Sequence, residues 1–302
     1  MSQLRVSKRG VIYLVVVVIT IIAGYQLIKL YSHNPEKEEG YSMEKVISND
    51  GTEISFLRRG NGPPLILVHG TTADHTRWLP IIPYFEKEFT LYAMDRRGRG
   101  ESGDSPNYHI IREAEDIAAV VKAIDDPVYL LGHSYGGLVA LETALLTDNI
   151  KRLILYEPPV PAGKPFYPPG VPDKMQPLID NGEFESALEI FLKEVVKMPD
   201  YEFEKYKQLP AYKKRIQIVP TIPRETMVEK FYTFRPDKFT GLQVPVLLLL
   251  GADSPSVFRE ATELVDSALS NSRIVIMQGQ KHIAMDTNTE LFVGEVKKFL
   301  SE

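Results

Sequence analysis

Gly132-His133-Ser134-Tyr135-Gly136 lies between an apolar run of β-forming residues, Val128 to Leu131, and a stretch from Leu138 to Leu146 with apolar residues at helical spacing. A serine at such a strand-to-helix turn, a nucleophile elbow, sits in a strained backbone conformation with its hydroxyl exposed above the sheet edge, where it can attack an acyl group. A hydroxyl is almost fully protonated at neutral pH, so Ser134 needs a base. Six histidines compete. His33 lies in a polar N-terminal stretch, and His75 and His109 have no positional argument. His69 ends a strand in His69-Gly70-Thr71-Thr72, where it would shape a turn, and the side chain of His133 should diverge from that of Ser134. His282 follows the last predicted strand in a glycine-containing loop just before the closing helix, which brings it to the carboxyl edge of the sheet.

An acid that orients this imidazole is expected between the two in sequence. Asp253 stands directly beyond the fully apolar run Leu247 to Leu250, where it would hold the tautomer of His282 and stabilise the imidazolium. Its bland alternative is an N-cap for the helix near Val257. Asp148, Glu157 and the carboxylates of residues 158–240 are set aside for want of a strand end to present them. The tetrahedral intermediate needs two donors. They are expected to be the backbone N–H of Tyr135 and a backbone N–H after the strand over 65–68, with Thr71 chosen and Thr72 as the alternative.

The elements that must position these residues alternate. Asn49-Asp50-Gly51 between apolar runs marks a hairpin. Buried-strand runs follow at 64–68 and 89–94, with helices over 78–85 and 110–124. This spacing implies an α/β fold with a mostly parallel sheet covered on both faces. After the strand ending at Tyr156, a proline-rich segment and charged helical stretches, including 184–198 and 224–232, interrupt the alternation, which resumes at Val244. Residues 158–240 are thus expected to be a helical insertion into one domain over 43–302. Phe166, Tyr167, Phe184, Phe191, Phe231 and Tyr232 could line an apolar pocket there; the plainer expectation is that they pack the insertion onto the sheet.

The chain has 302 residues, a net charge of -5 and 44% hydrophobic residues, enough for a large core. Its acidic balance and lack of a basic block argue against a nucleic-acid partner. Residues 11–30 are long and apolar enough to span a bilayer, preceded by Arg5, Lys8 and Arg9 within the N-terminal residues 1–10. The expectation is a single-pass anchor in the cell membrane, N-terminus cytoplasmic, followed by a linker over 31–42 and an extracytoplasmic catalytic domain. A cleaved signal peptide is the rival, but no A-x-A-like site follows. The absence of cysteine permits export.

Gly98-Arg99-Gly100-Glu101-Ser102-Gly103 satisfies the dinucleotide pattern, but no helix opens at once to face a pyrophosphate. It reads as a turn whose arginines pair with nearby carboxylates. No metal-ligand or phosphate-loop motif is present in the sequence, so no cofactor and no metal is implied.

Taken together, His69-Gly70-Thr71-Thr72, the run Asp95 to Ser102, the turn around Ser134, Gly251-Ala252-Asp253 and His282 resemble the α/β-hydrolase superfamily, and within it the branch of cap-bearing esterases, cofactor-free haloperoxidase-like enzymes and C–C bond hydrolases. The resemblance implies that residues 158–240 form a cap over the site. It leads to a membrane-anchored serine hydrolase of small or amphiphilic esters, with a small-molecule substrate and the bilayer as partners. The alternatives are a C–C bond hydrolase, a perhydrolase-like enzyme or a non-catalytic module of the same fold.

Overall fold

The computed structural model describes residues 42–163 and 165–302. The anchor expected over 11–30, and nearly all of its linker, lie outside these; among the described residues no helix is long and apolar enough to cross a membrane.

Eight strands form one sheet in the order β1-β2-β4-β3-β5-β6-β7-β8. The strands are β1 (Ser42–Ile47), β2 (Glu53–Gly60), β3 (Pro64–Val68), β4 (Thr90–Met94), β5 (Val128–His133), β6 (Ile150–Tyr156), β7 (Val246–Gly251) and β8 (Ser272–Met277). The hairpin joins β1 and β2, with Ile47 opposite Glu53, and Gly51 takes the left-handed conformation its turn requires. β2 pairs antiparallel with β4; every pair from β4 to β8 is parallel. The central strands β3, β5 and β7 are buried along their whole length, which is why they read as unbroken apolar runs and not as alternation.

Helices cover both faces. The main ones are α1 (Ile82–Phe85), α2 (Ile110–Ile124) and α3 (Tyr135–Thr143) before β6, then α4 (Val171–Asp180), α5 (Phe184–Ile190), α6 (Asp200–Tyr206), α7 (Pro210–Gln217), α8 (Ile222–Thr226) and α9 (Val228–Phe231) between β6 and β7. The chain closes with α10 (Ser256–Ala268), α11 (Ala284–Thr287) and α12 (Thr289–Leu300). One face of the sheet packs on α2, α3 and α10 through residues such as Ile117, Leu138 and Val265; the other packs on Trp78, Phe85 and Phe292. Helices α4 to α8 gather around a third apolar cluster of their own, including Met175, Leu188, Leu192, Phe203 and Ile222. Two helices expected to be continuous are broken. The stretch from Phe184 changes to a π-helical turn at Phe191–Val195, and that from Arg224 divides into α8 and α9 at Met227. Of the insertion's aromatics, Phe191 enters the third cluster, whereas Phe231 is exposed.

Candidate active site

Ser134 joins β5 to α3 with φ 54° and ψ -128°, a conformation that costs a non-glycine residue about 1–3 kcal/mol. The glycines beside it are sterically required. A Cβ at Gly132 would lie 2.4 Å from the carbonyl oxygen of Gly136, and one at Gly136 would lie 2.4 Å from that of His69. Only glycine lets strand, helix and the turn after β3 approach this closely. The turn also touches the serine itself, since a Cβ at Gly70 would meet Ser134 Cβ at 2.7 Å. The neighbours of Ser134 on both sides are buried while Ser134 remains partly exposed.

His282 lies between β8 and α11, and its Nδ1 stands 2.5 Å from Glu157 Oε2. A carboxylate can only accept here, so Nδ1 carries the proton and the lone pair falls on Nε2, the tautomer a base needs. Glu157 is the first residue past β6 and is fully buried. Its Oε1 accepts from the Gly251 N–H at 2.8 Å and from Ser254 Oγ at 2.5 Å. These donors satisfy the buried carboxylate in its ionised form.

Asp253, expected in this role, is therefore corrected. It is exposed, no hydrogen bond joins its carboxylate to His282, and only its main chain serves the site, donating to the Gln280 carbonyl at 2.9 Å. Glu157 was missed although a signal for it exists in the sequence: it directly follows the apolar run Leu153 to Tyr156, the same kind of strand end that favoured Asp253.

The loop carrying His282 is tied to its surroundings on both flanks. Tyr156 Oη donates to the Lys281 carbonyl and accepts from the Ala284 N–H at 3.0 Å. His133 Nε2 lies 2.8 Å from the His282 carbonyl oxygen, and the Phe258 ring is stacked on the imidazole at 4.3 Å. Ser134 Oγ makes no hydrogen bond to His282; the two are linked through His133, and such catalytic bonds commonly close only with substrate bound.

In the turn after β3, His69 Nδ1 donates to the Gly70 carbonyl at 2.8 Å and Nε2 accepts from the Arg96 N–H at 3.2 Å. Burial, helped by the nearby Arg96 charge, pushes the His69 imidazole down to about 3, so it stays neutral and shapes the turn as expected. Thr72 has φ 60°. The backbone N–H groups of Thr71, Thr72 and Tyr135 have no acceptor among the described residues.

Beside the elbow, the turn Asp95 to Ser102 is a hub of buried charge. Arg96 donates to Glu113 at 2.6 and 2.8 Å and to Glu225 at 2.9 Å; Arg99 donates to Glu225 and to the Ile218 carbonyl. Arg97 is paired with Asp116 and Asp50. Burial alone would raise the carboxyls of Glu113 and Glu225, but the guanidinium of Arg96, joined at Glu225 by Arg99, holds both below their ordinary value. Glu225 belongs to α8, so this network fastens the insertion to the sheet. Arg96 also lies 4.7 Å above the Tyr135 ring, whose hydroxyl meets Tyr108 Oη at 2.8 Å. Asp74, His75 and Asp95 have donor atoms close enough to hold a metal. Their geometry is instead that of an ion pair and a helix cap: both Asp95 oxygens lie 2.9 Å from His75 Nδ1, and Asp74 accepts from the Thr76 N–H.

An eight-stranded, mostly parallel sheet in this order, with a strained strand-to-helix serine and a carboxylate-bound histidine at its rim, is the architecture of an α/β hydrolase. The profile of the Alpha/beta hydrolase family matches residues 65–295, and the chain belongs to that family. An alpha/beta hydrolase from Sphaerobacter thermophilus is similar in structure, with a TM-score of 0.72 and 30% identity, covering 83% of this chain and 99% of that one. A pimeloyl-[acyl-carrier protein] methyl ester esterase from Aeromonas hydrophila is 24% identical over 82% of this chain and 99% of its own length. An N-formylmaleamate deformylase from Pseudomonas putida is 36% identical, but the match covers 42% of this chain and only 49% of that enzyme.

Proposed function

We propose that the chain is a serine hydrolase of carboxylic esters, with Ser134 as nucleophile, His282 as base and Glu157 as the orienting acid. The observation that carries this reading is the 2.5 Å contact of His282 Nδ1 with the buried Glu157, at the rim that also bears the strained Ser134. In this mechanism Ser134 Oγ attacks the ester carbonyl carbon as His282 Nε2 takes its proton. The oxyanion is met by the Tyr135 N–H and by that of Thr71 or Thr72. His282 then returns the proton to the departing alkoxide, leaving an acyl group on Ser134. Water, deprotonated by the same nitrogen, attacks the acyl carbon and releases the acid, and Ser134 recovers its proton. Glu157 keeps its hydrogen bond from Nδ1 throughout and stabilises the transient imidazolium.

The esterase from Aeromonas hydrophila, matched along nearly its whole length, supports esters over C–C bonds as the substrate class. Residues 158–240 act as a cap, and 11–30 anchor the enzyme in the cell membrane with the catalytic domain outside the cytoplasm, a reading supported by the basic cluster that precedes the apolar run.

The test is turnover of p-nitrophenyl esters of increasing acyl length by the full-length protein, together with labelling by a fluorophosphonate probe. Wild type is expected to turn over and to be labelled, and Ser134→Ala to lose both, with kcat down on the order of a million-fold as when a triad serine is removed. Turnover retained by Ser134→Ala, or a wild type that is neither active nor labelled, overturns the reading.

A further inference from the structure

We propose that His133 is a positioning residue of this hydrolase, a clamp that fixes the base His282 relative to the nucleophile one residue away. The inference rests on the serine-hydrolase reading and assigns a role to a side chain that the reaction itself does not use.

His133 is the last residue of β5, in register with Tyr156 of β6, so its main chain is held in the ladder of a buried strand. Its Nε2 lies 2.8 Å from the His282 carbonyl oxygen. A carbonyl can only accept, so Nε2 carries the hydrogen and donates it. The two imidazole rings are also in contact, with centroids 4.6 Å apart and 39° between planes. His133 further packs on Tyr156, at 5.2 Å, while Phe258 of α10 covers His282 at 4.3 Å. One side chain thus holds both the main chain and the ring of the base.

The need for such a clamp follows from what Glu157 leaves undone. A single hydrogen bond at Nδ1 sets the tautomer and aims one edge of the ring but allows tilt about that bond, and the Tyr156 hydroxyl holds the flanking Lys281 and Ala284, which leaves a local shift of His282 itself to be opposed. Ring contacts oppose the tilt, and the bond to the His282 carbonyl opposes the shift. Because His133 adjoins Ser134, the clamp references the base to the nucleophile, where displacement of about 1 Å can cost a hundredfold in rate. Burial pushes the His133 imidazole well below its ordinary range, and the neighbouring His282 adds to this. It therefore stays neutral beside His282 when that ring becomes cationic.

Three variants of the full-length protein separate the two contacts. His133→Ala removes both, His133→Phe keeps a ring without the donor, and His133→Gln keeps an N–H donor without the ring. Kinetics on p-nitrophenyl butyrate, with kcat and KM resolved and melting followed by circular dichroism, are expected to show kcat of His133→Ala down about ten- to a hundredfold with KM changed less than about threefold. His133→Gln should recover at least about fivefold of that loss, and His133→Phe less. The inference is overturned if His133→Ala keeps kcat within about threefold, if the loss falls on KM, or if all three variants lose activity equally, as a purely structural role would produce. Should His133→Ala fail to fold, the other two decide: Gln faster than Phe supports the clamp, and equal rates overturn it. Wild type and Ser134→Ala run in the same series. An inactive wild type overturns the hydrolase reading and this inference with it, whereas an active wild type with insensitive His133 variants overturns the clamp alone.

Discussion

Glu157 and Asp253 stand just past the ends of neighbouring parallel strands, β6 and β7, on the same edge of the sheet, and only one of them faces the imidazole. The difference lies in what surrounds each carboxylate. Glu157 is fully buried, and the main-chain N–H of Gly251 and the hydroxyl of Ser254 both donate to it. Asp253 is exposed, with its loop zipped to the one after β8 by the bonds from Ala252 N–H to Met277 and from Asp253 N–H to Gln280. The β7 loop thus contributes to the site by holding an acid from the neighbouring strand, not by supplying one. A strand-end position brings a carboxylate to the rim, but burial among fixed donors is what lets it hold an imidazole in one orientation.

The most direct way to break this contrast is to neutralise each carboxylate in turn. Glu157→Gln is expected to lower kcat on a p-nitrophenyl ester by on the order of a thousand- to ten-thousandfold, the scale seen when a triad acid becomes an amide and the wrong tautomer is favoured. A loss under about tenfold in a folded protein would assign the orienting role elsewhere. Ser254→Ala sharpens the same contrast at smaller amplitude. It removes the 2.5 Å donor to Glu157 Oε1 while leaving the Gly251 N–H in place. A hydrogen bond to a charged group contributes about 1.5–3 kcal/mol, so kcat should fall by roughly ten- to a hundredfold. An unchanged kcat would mean that Gly251 alone suffices.

Much of this arrangement was legible from residue order alone. The unbroken apolar runs of β3, β5 and β7 announced buried parallel strands, Asn49-Asp50-Gly51 announced the hairpin, and the glycines flanking Ser134 announced a close approach that the contacts of Gly132 and Gly136 now explain. Residues whose placement is set by local sequence, such as Ser134 at its strand-to-helix turn and His69 in the turn after β3, could be read in this way. The acid could not, because β6 and β7 are separated by the whole insertion, and the choice between their two carboxylates depends on which one the donors Gly251 and Ser254 reach. His133 escaped for a similar reason: its side chain meets the His282 loop, 149 residues away in sequence. The buried ties of Arg96 and Arg99 to Glu225 are likewise long-range, so the pairing of these arginines with carboxylates was anticipated but their hold on α8 was not.

The smallest expected effect is also the finest discriminator between the two carboxylates. Asp253→Asn should change kcat by less than about threefold, because an exposed charge is screened by water and salt and makes no hydrogen bond to the base. The more searching measurement places the same substitution in the Glu157→Gln background. If Asp253 swings in to serve His282 once Glu157 is neutral, its removal there costs far more than in the wild type. If the exposed position cannot be brought to the imidazole, the double variant matches Glu157→Gln within about twofold, as independent sites do. The second outcome is expected, since moving Asp253 inward requires breaking the main-chain bonds that join its loop to Met277 and Gln280, and those bonds also hold Ser254 against the acid.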